Sequence, residues 1–234
     1  MNKKSLLLST SLIIILYSVL IILFVNIFPQ NKDTDLAKLF TEHYNNKISS
    51  FEEENNLYKE NQVDVIFIGD SLTELYDVKK YYPEYVVLNR GIGGDTTIGL
   101  ERRLKVSLYE LKPKVVVMLI GANNIYQMMD NYEHILIDLK QNLGESKIIL
   151  LSLTAMGGPH WGKANHQAAY NNVLIKKLAN KYNYTFIDLY TPLMDETTKE
   201  VYDGFTVDGG HFTEVGYDVI TSLIKPTIDQ ILEK

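Results

Sequence analysis

The sequence contains no cysteine among its 234 residues. This absence excludes disulfides, thiolate metal sites, a cysteine nucleophile and lipid attachment through cysteine. Positive charge is also in deficit, because 23 lysines and arginines stand against 29 aspartates and glutamates, which gives a formal net charge of −6. No basic surplus is available to neutralise phosphates, so we expect no nucleic-acid partner.

Two common ligand-binding patterns are missing as well. The glycines at 91, 93 and 94 do not follow the Gly-x-Gly-x-x-Gly spacing, and no Gly-Lys-Ser/Thr follows them, which disfavours a nucleotide site. His160 and His166 lack the spacing of metal ligands. We therefore expect the protein to need neither a metal nor an organic cofactor.

The amino terminus is apolar and uncharged over residues 5–31. About 20 apolar residues cross a bilayer as a helix, so the sequence predicts a transmembrane helix over residues 5–28. Lys3 and Lys4 precede it, which predicts a cytoplasmic tail at residues 1–4 and an extracytoplasmic location for the rest of the chain. A cleaved signal peptide, and hence a secreted protein, is the alternative; the apolar run is longer than usual for one and offers no small-residue cleavage site.

Residues 29–60 are polar and show a helical pattern. Apolar side chains recur at spacings of four and three, at Leu36, Phe40, Tyr44, Ile48 and Phe51. This spacing predicts an amphipathic helix. We interpret the segment as a connector between the membrane and the domain, with its apolar stripe packed on that domain.

Residues 61–234 alternate five apolar, strand-like runs with helical patterns. The runs begin at Val63, Tyr85, Lys114, Lys147 and Tyr184. Strands that alternate with helices predict a parallel sheet covered by helices on both faces. Five strands fit a flavodoxin-like order of 2-1-3-4-5. The predicted fold class is thus a three-layer α/β/α domain, preceded by the transmembrane helix.

Ser71 follows the first strand, in the run Gly-Asp-Ser-Leu-Thr at residues 69–73. A serine at this point either caps the next helix or acts as a nucleophile. A nucleophilic serine needs a base and an orienting acid. Of the five histidines, only His211 has a carboxylate three residues before it, at Asp208. A loop could hold Asp208 against one ring nitrogen while the other nitrogen faces Ser71.

The loops after the first three strands of a parallel sheet lie on one edge. Here they carry Ser71, Gly94 and Asn123. A glycine amide, an asparagine side-chain amide and the backbone N–H of the serine are suitable donors to an oxyanion. The loop after the fourth strand contains His160 and the only tryptophan, Trp161, and these two are candidates for lining a substrate cleft.

Four separated motifs resemble those of the SGNH hydrolases, also called the GDSL esterase and lipase family. They lie at residues 69–73, 89–96, 121–124 and 208–211. The run 88–124 is particularly similar to the platelet-activating-factor acetylhydrolase-like branch. One departure is Asn124, where many members have aspartate.

The resemblance implies roles for the same residues. Ser71 matches the nucleophile, Asp208 and His211 the acid and base, and Gly94 and Asn123 the oxyanion donors beside the Ser71 amide. The implied activity is a serine esterase that hydrolyses a carboxylic ester with a short acyl or acetyl group, through an acyl-serine.

Two alternatives stay open. An acyltransferase that passes the acyl group to a sugar hydroxyl would use the same residues. A flavodoxin-like domain that holds a ligand or glycan without turnover is the non-enzymatic alternative. The expected partners are a small-molecule or glycan ester as substrate, and a membrane through the N-terminal helix.

Overall fold

The structure, a computed structural model, describes residues 32–233. Five parallel strands form one sheet in the order β2-β1-β3-β4-β5. They are β1 Val65–Gly69, β2 Val87–Gly91, β3 Val115–Leu119, β4 Lys147–Leu151 and β5 Thr185–Ile187. The strand order predicted from the sequence is confirmed.

Helices connect the strands and cover both faces of the sheet, which gives the predicted three layers. The α-helices are α1 Lys32–Asn55, α2 Ser71–Glu74, α3 Val78–Tyr81, α4 Thr97–Arg102, α5 Met129–Asn142, α6 Gly158–Trp161, α7 Asn165–Tyr182, α8 Tyr190–Leu193 and α9 Glu214–Ile231. A π-helical turn spans Lys105–Tyr109, and 3-10 turns span Ala122–Asn124 and Gly162–Ala164.

Strand β1 lies at the centre of the site-bearing half of the sheet, between β2 and β3. All five of its residues are buried, as are those of β3, because helices cover both faces. On one face, Phe67 and Val117 of these strands line a small cavity together with Ile220 and Ile224 of helix α9. A strand held on both faces fixes the position of its carboxyl end, from which the chain turns directly into helix α2.

The transmembrane part of the predicted fold class is corrected. Within residues 32–233, no helix is both long enough and apolar enough to cross a bilayer. Helix α1 has the length, at 24 residues, but charged side chains recur along it. The segment for which the span was predicted, residues 5–28, lies outside the described residues.

The chain divides into two units between residues 45 and 46. Within the second unit, Phe51 is buried and the guanidinium of Arg90 lies 4.7 Å from the centre of its ring. Arg90 Nη2 also donates to Asn55 Oδ1 at 2.8 Å. Phe40, another member of the predicted apolar stripe, is 52% exposed. The boundary predicted between residues 60 and 61 stays a prediction.

Candidate active site

Ser71 begins helix α2 directly after strand β1. The carboxylate of Asp70 caps this helix, since its Oδ1 accepts the amide hydrogen of Leu72 at 3.1 Å. The capping role considered for Ser71 therefore falls to Asp70. Gly69 has to be a glycine, because a Cβ there would lie 2.0 Å from the carbonyl oxygen of Leu119 on the neighbouring strand. This turn presents Ser71 at the carboxyl edge of the sheet.

The side chains of Ser71, His211 and Asp208 form a continuous hydrogen-bonded chain. Ser71 Oγ lies 3.0 Å from His211 Nε2, although 140 residues separate the two in sequence. His211 Nδ1 lies 2.8 Å from Asp208 Oδ2. The structure thus brings together the three residues that the sequence predicted as nucleophile, base and acid.

Asp208 and His211 lie on one tight turn whose backbone fixes the carboxylate. Asp208 Oδ1 accepts the amide hydrogens of Gly210 at 2.9 Å and of His211 at 2.7 Å. Gly209 has φ +87°, a conformation that favours glycine, and its carbonyl accepts the amide hydrogen of Gly157 at 2.8 Å. Both carboxylate oxygens of Asp208 are therefore held, one by the backbone and one by the imidazole.

Helix α9, which follows this turn, is tied to the helix of the nucleophile. The hydroxyl of Tyr217 donates to the carbonyl of Leu72 at 2.8 Å, and this contact is buried. Leu72 is the neighbour of Ser71 in sequence. The Tyr217 hydrogen bond therefore helps to set the separation between the serine and the histidine.

The electrostatics of the Asp208–His211 pair suit His211 to act as a base. The hydrogen bond to Asp208 raises the pKa of His211 above its usual 6.5, against the opposing effect of desolvation. Burial alone would raise the pKa of Asp208, but hydrogen bonds from the His211 side chain and from backbone amides outweigh it and lower that pKa. The aspartate is thus ionised beside an imidazole that readily accepts a proton.

Asp70 is a second carboxyl group at the site, and it is almost fully buried, at 1% exposure. Burial raises its pKa from 3.8 to about 6, and the nearby charge of Asp95 adds to the increase, whereas the Leu72 amide and His211 oppose it. The folded protein therefore binds this proton more tightly than the unfolded chain does. Ionised Asp70 costs folding free energy, and the cost grows as pH rises from about 4 to about 6.

We expect Asp70→Asn to stabilise the protein at neutral and higher pH. Asparagine keeps the oxygen that accepts from Leu72 but cannot ionise. The raised pKa corresponds to about 2–3 kcal/mol of unfolding free energy gained at pH 8 and almost none at pH 4. Urea unfolding at the two pH values measures this, with the exposed Asp130→Asn as control. An equal change at both pH values would contradict the assignment.

The two loops that carry the other predicted oxyanion donors are joined. Gly94 lies exposed in the loop after β2, with φ +78°. Asn123 lies exposed in the 3-10 turn after β3, and its Nδ2 donates to the carbonyl of Asp95 at 2.8 Å. Asn124 supports the same junction, because its Nδ2 donates to Thr97 Oγ1 at 2.8 Å. Asn124, where the sequence departs from the family pattern, therefore braces the loop.

Trp161 contacts the acid and base, whereas His160 lies exposed on the same short helix α6. The indole Nε1 of Trp161 donates to Asp208 Oδ2 at 3.4 Å, and its ring meets the His211 ring edge-on at 5.6 Å. A Cβ at Gly210 would lie 2.6 Å from the indole, so glycine at this position makes room for the ring. Trp161 thus packs against the turn that carries Asp208 and His211. As substrate contacts, both Trp161 and His160 stay predictions.

Arg103 was not predicted to belong to the site. It forms a buried ion pair with Asp95, in which Arg103 Nε lies 2.8 Å from Asp95 Oδ2. The sequence contains a pattern that indicates the burial of Arg103. Leu100, Leu104 and Leu108 mark an apolar stripe, and position 103 falls on the same side of such a helix. A charged residue on an apolar stripe indicates a buried partner.

A linked serine, histidine and aspartate at the carboxyl edge of a parallel α/β sheet is typical of serine hydrolases. Residues 67–219 match the model of the GDSL-like lipase/acylhydrolase family. The chain belongs to this family, and the predictions of the family and of a carboxylic ester hydrolase are confirmed. The non-enzymatic binding domain is set aside.

Curated relatives of the chain carry the name of an acetylhydrolase. The alpha2 subunit of platelet-activating factor acetylhydrolase IB, in its human and its rat form, is 30% identical to the chain over 186 residues, covering 75% of this chain and 80% of the relative.

Two solved structures share the fold. A GDSL-like lipase from Bacteroides thetaiotaomicron superposes with a TM-score of 0.71 at 23% identity, covering 78% of this chain and 97% of the lipase. A catalytic mutant of an acetylxylan esterase from Geobacillus stearothermophilus superposes with a TM-score of 0.60 at 19% identity, covering 72% of this chain and 95% of the esterase. At these identities the likeness shows the fold alone.

Proposed function

We propose that the protein is a serine esterase that hydrolyses short-chain, chiefly acetyl, esters through an acyl-serine intermediate. The observation that carries the proposal is the hydrogen-bonded chain from Ser71 through His211 to Asp208, with separations of 3.0 and 2.8 Å. A serine becomes nucleophilic at neutral pH when an adjacent base removes its proton, and this chain supplies the base and its orienting acid.

In the proposed reaction, His211 Nε2 takes the Ser71 proton as Oγ attacks the ester carbonyl. The carbonyl oxygen becomes an oxyanion, which accepts hydrogen bonds from the amides of Ser71 and Gly94 and from the side chain of Asn123. The intermediate collapses to the acyl-serine, and His211 returns the proton to the departing alcohol. Water then repeats the sequence as nucleophile and releases the acid and free Ser71.

The acetyl group is proposed from two kinds of support. Asn123 and Gly94 are exposed and Ser71 is partly exposed, which indicates an open site rather than a deep acyl tunnel. The printed names of the relatives, an acetylhydrolase and an acetylxylan esterase, both refer to acetyl esters. The printed names of these two relatives refer to different alcohols that carry the acetyl group. We therefore propose the acyl group alone.

We expect a fluorophosphonate probe to label Ser71 covalently, with mass spectrometry of the labelled peptide as the readout. The labelling rate should fall as the pH drops through the raised pKa of His211, since a protonated imidazole cannot accept the serine proton. Exposed Ser222 provides the internal control, because it should stay unlabelled. An unlabelled Ser71 in the folded protein would exclude the proposed mechanism.

Product analysis distinguishes hydrolysis from acyl transfer. We expect 4-nitrophenyl acetate to be cleaved with a higher kcat/KM than the octanoate, because the site is open and shallow. Adding a carbohydrate acceptor should leave free acetate as the main product. Dominant formation of an acetylated sugar would instead favour the acyltransferase.

A further inference from the structure

The guanidinium of Arg103 is buried beside the candidate active site, and each of its three nitrogens donates a hydrogen bond. Nε donates to Asp95 Oδ2 at 2.8 Å, and the two side chains are only 1% and 2% exposed. Nη2 donates to the carbonyl of Gly69 at 2.8 Å. Nη1 donates to the carbonyl of Arg90 at 2.8 Å and to Ser107 Oγ at 3.1 Å. A buried charge is tolerated only when paired and hydrogen-bonded, so these contacts fix the side chain in one place.

These acceptors lie next to the proposed oxyanion donors. Gly69 ends strand β1, two residues before Ser71, and Asp95 directly follows Gly94. The carbonyl of Asp95 in turn accepts from Asn123 Nδ2 at 2.8 Å. One side chain therefore holds the end of β1, the loop after β2 and, through Asp95, the loop after β3 in a single arrangement.

Arginine is suited to this place by its shape. Its planar fork donates in several directions at once, whereas a lysine ammonium is a point charge on a flexible stem. Because Asp95 neutralises Arg103, the pair exerts little net field on a developing oxyanion, and its effect on the reaction is geometric. Oxyanion stabilisation depends on donors that are already in place, and a misplacement of about 1 Å can cost about 100-fold in rate.

The competing explanation is that Arg103 stabilises the fold and nothing more. Arg90 offers a matched comparison, because its side chain is also fully buried. It forms an ion pair with Glu54, donates to Asn55 and lies over Phe51. None of these partners carries a proposed catalytic group, so side-chain variants of Arg90 report the cost of losing a buried arginine by itself.

We propose that Arg103 is a positioning residue for the oxyanion hole: it sets the separation of the Ser71 amide, the Gly94 amide and the Asn123 side chain through its bonds to Gly69 and Asp95. This proposal rests on the proposed acyl-serine mechanism, because it assigns a role within that mechanism.

The test compares Arg103→Met and Arg103→Lys with Arg90→Met and Arg90→Lys in 4-nitrophenyl acetate hydrolysis. We expect Arg103→Met to lower kcat by about 100-fold and to change KM by less than about threefold. Arg103→Lys should fall between it and the wild type, since it keeps the charge but reaches fewer acceptors. The Arg90 variants should keep kcat within about threefold of the wild-type value, even when their Tm falls as far as that of the Arg103 variants. The acid limb of the kcat/KM profile should not move, because the His211–Asp208 contact is intact.

The proposal is overturned if Arg103 variants lose no more kcat than Arg90 variants of equal Tm. Should Arg103→Met fail to fold, Asp95→Ala carries the same test, because it removes the acceptor of Arg103 Nε and keeps the backbone carbonyl that binds Asn123. Wild-type kcat in Asp95→Ala would then reject the proposal. Failure of the underlying mechanism would be seen separately, as absent labelling of Ser71 in the wild-type protein.

Discussion

Replacing Ser71 with alanine is expected to lower kcat for ester hydrolysis by about 10⁴-fold or more, with KM little changed. Alanine removes the Oγ that lies 3.0 Å from His211 Nε2 and leaves no group that can form an acyl-enzyme. The fold should be unaffected, because Asp70 rather than Ser71 caps helix α2. Steady-state kinetics with 4-nitrophenyl acetate, beside Tm, measures both expectations.

The matched control for this substitution is Ser222→Ala, an exposed serine on helix α9 that should keep wild-type kcat. His211→Ala should lose about as much rate as Ser71→Ala, and the double variant should lose no more than either, because residues that act as one unit are not additive. If Ser71→Ala kept wild-type turnover, or if the two losses simply multiplied, the two residues would not form a catalytic unit.

Asn123→Ala should lower kcat by about 10²–10³-fold, with KM changed by less than about threefold. One N–H of its Nδ2 is used on the carbonyl of Asp95, at 2.8 Å, and in the proposed mechanism the other donates to the oxyanion. The oxyanion exists only after attack, so its loss affects the transition state and not the binding of the ester. Steady-state kcat and KM for acetyl esters measure these two expected effects.

The adjacent asparagine is the natural control for this second substitution. Asn124 bonds to Thr97 and not to Asp95, so Asn124→Ala removes a loop brace and no proposed donor. Asn124→Ala should lower Tm and leave kcat little changed. Equal losses of kcat in the two variants would mean that the loop as a whole matters, and that Asn123 has no role of its own.

Much of the fold was predictable because buried parallel strands are nearly continuous apolar runs. Val65 to Ile68 and Val115 to Leu119 show this pattern, and the alternation with helices indicates that the strands are parallel. Strand β2 was harder. It includes Arg90 and Gly91, which look like loop residues but pair with Ile68 and Gly69 of β1. That pairing is a long-range property that local sequence does not carry.

The site was predictable where chemistry and spacing coincide, as in Asp208 and His211, three residues apart. The supporting contacts were not. Trp161 was predicted to line a cleft, and its packing against the turn of Gly210 was not predicted. Arg103 lies on an apolar stripe that indicates its burial, but its partners Gly69 and Asp95 were not predicted. Both depend on which segments the fold brings together, which pattern and propensity do not specify.

The acid and base of this site form one rigid part, since backbone amides hold the carboxylate of Asp208 and the carboxylate holds His211. Ser71, the proposed nucleophile, lies on another part, at the end of β1, so the separation from Ser71 to His211 decides whether the serine contacts its proposed base. The Tyr217–Leu72 hydrogen bond spans the same gap. A displacement of helix α9 relative to β1 would therefore lengthen the Ser71–His211 contact while leaving the Asp208–His211 hydrogen bond intact.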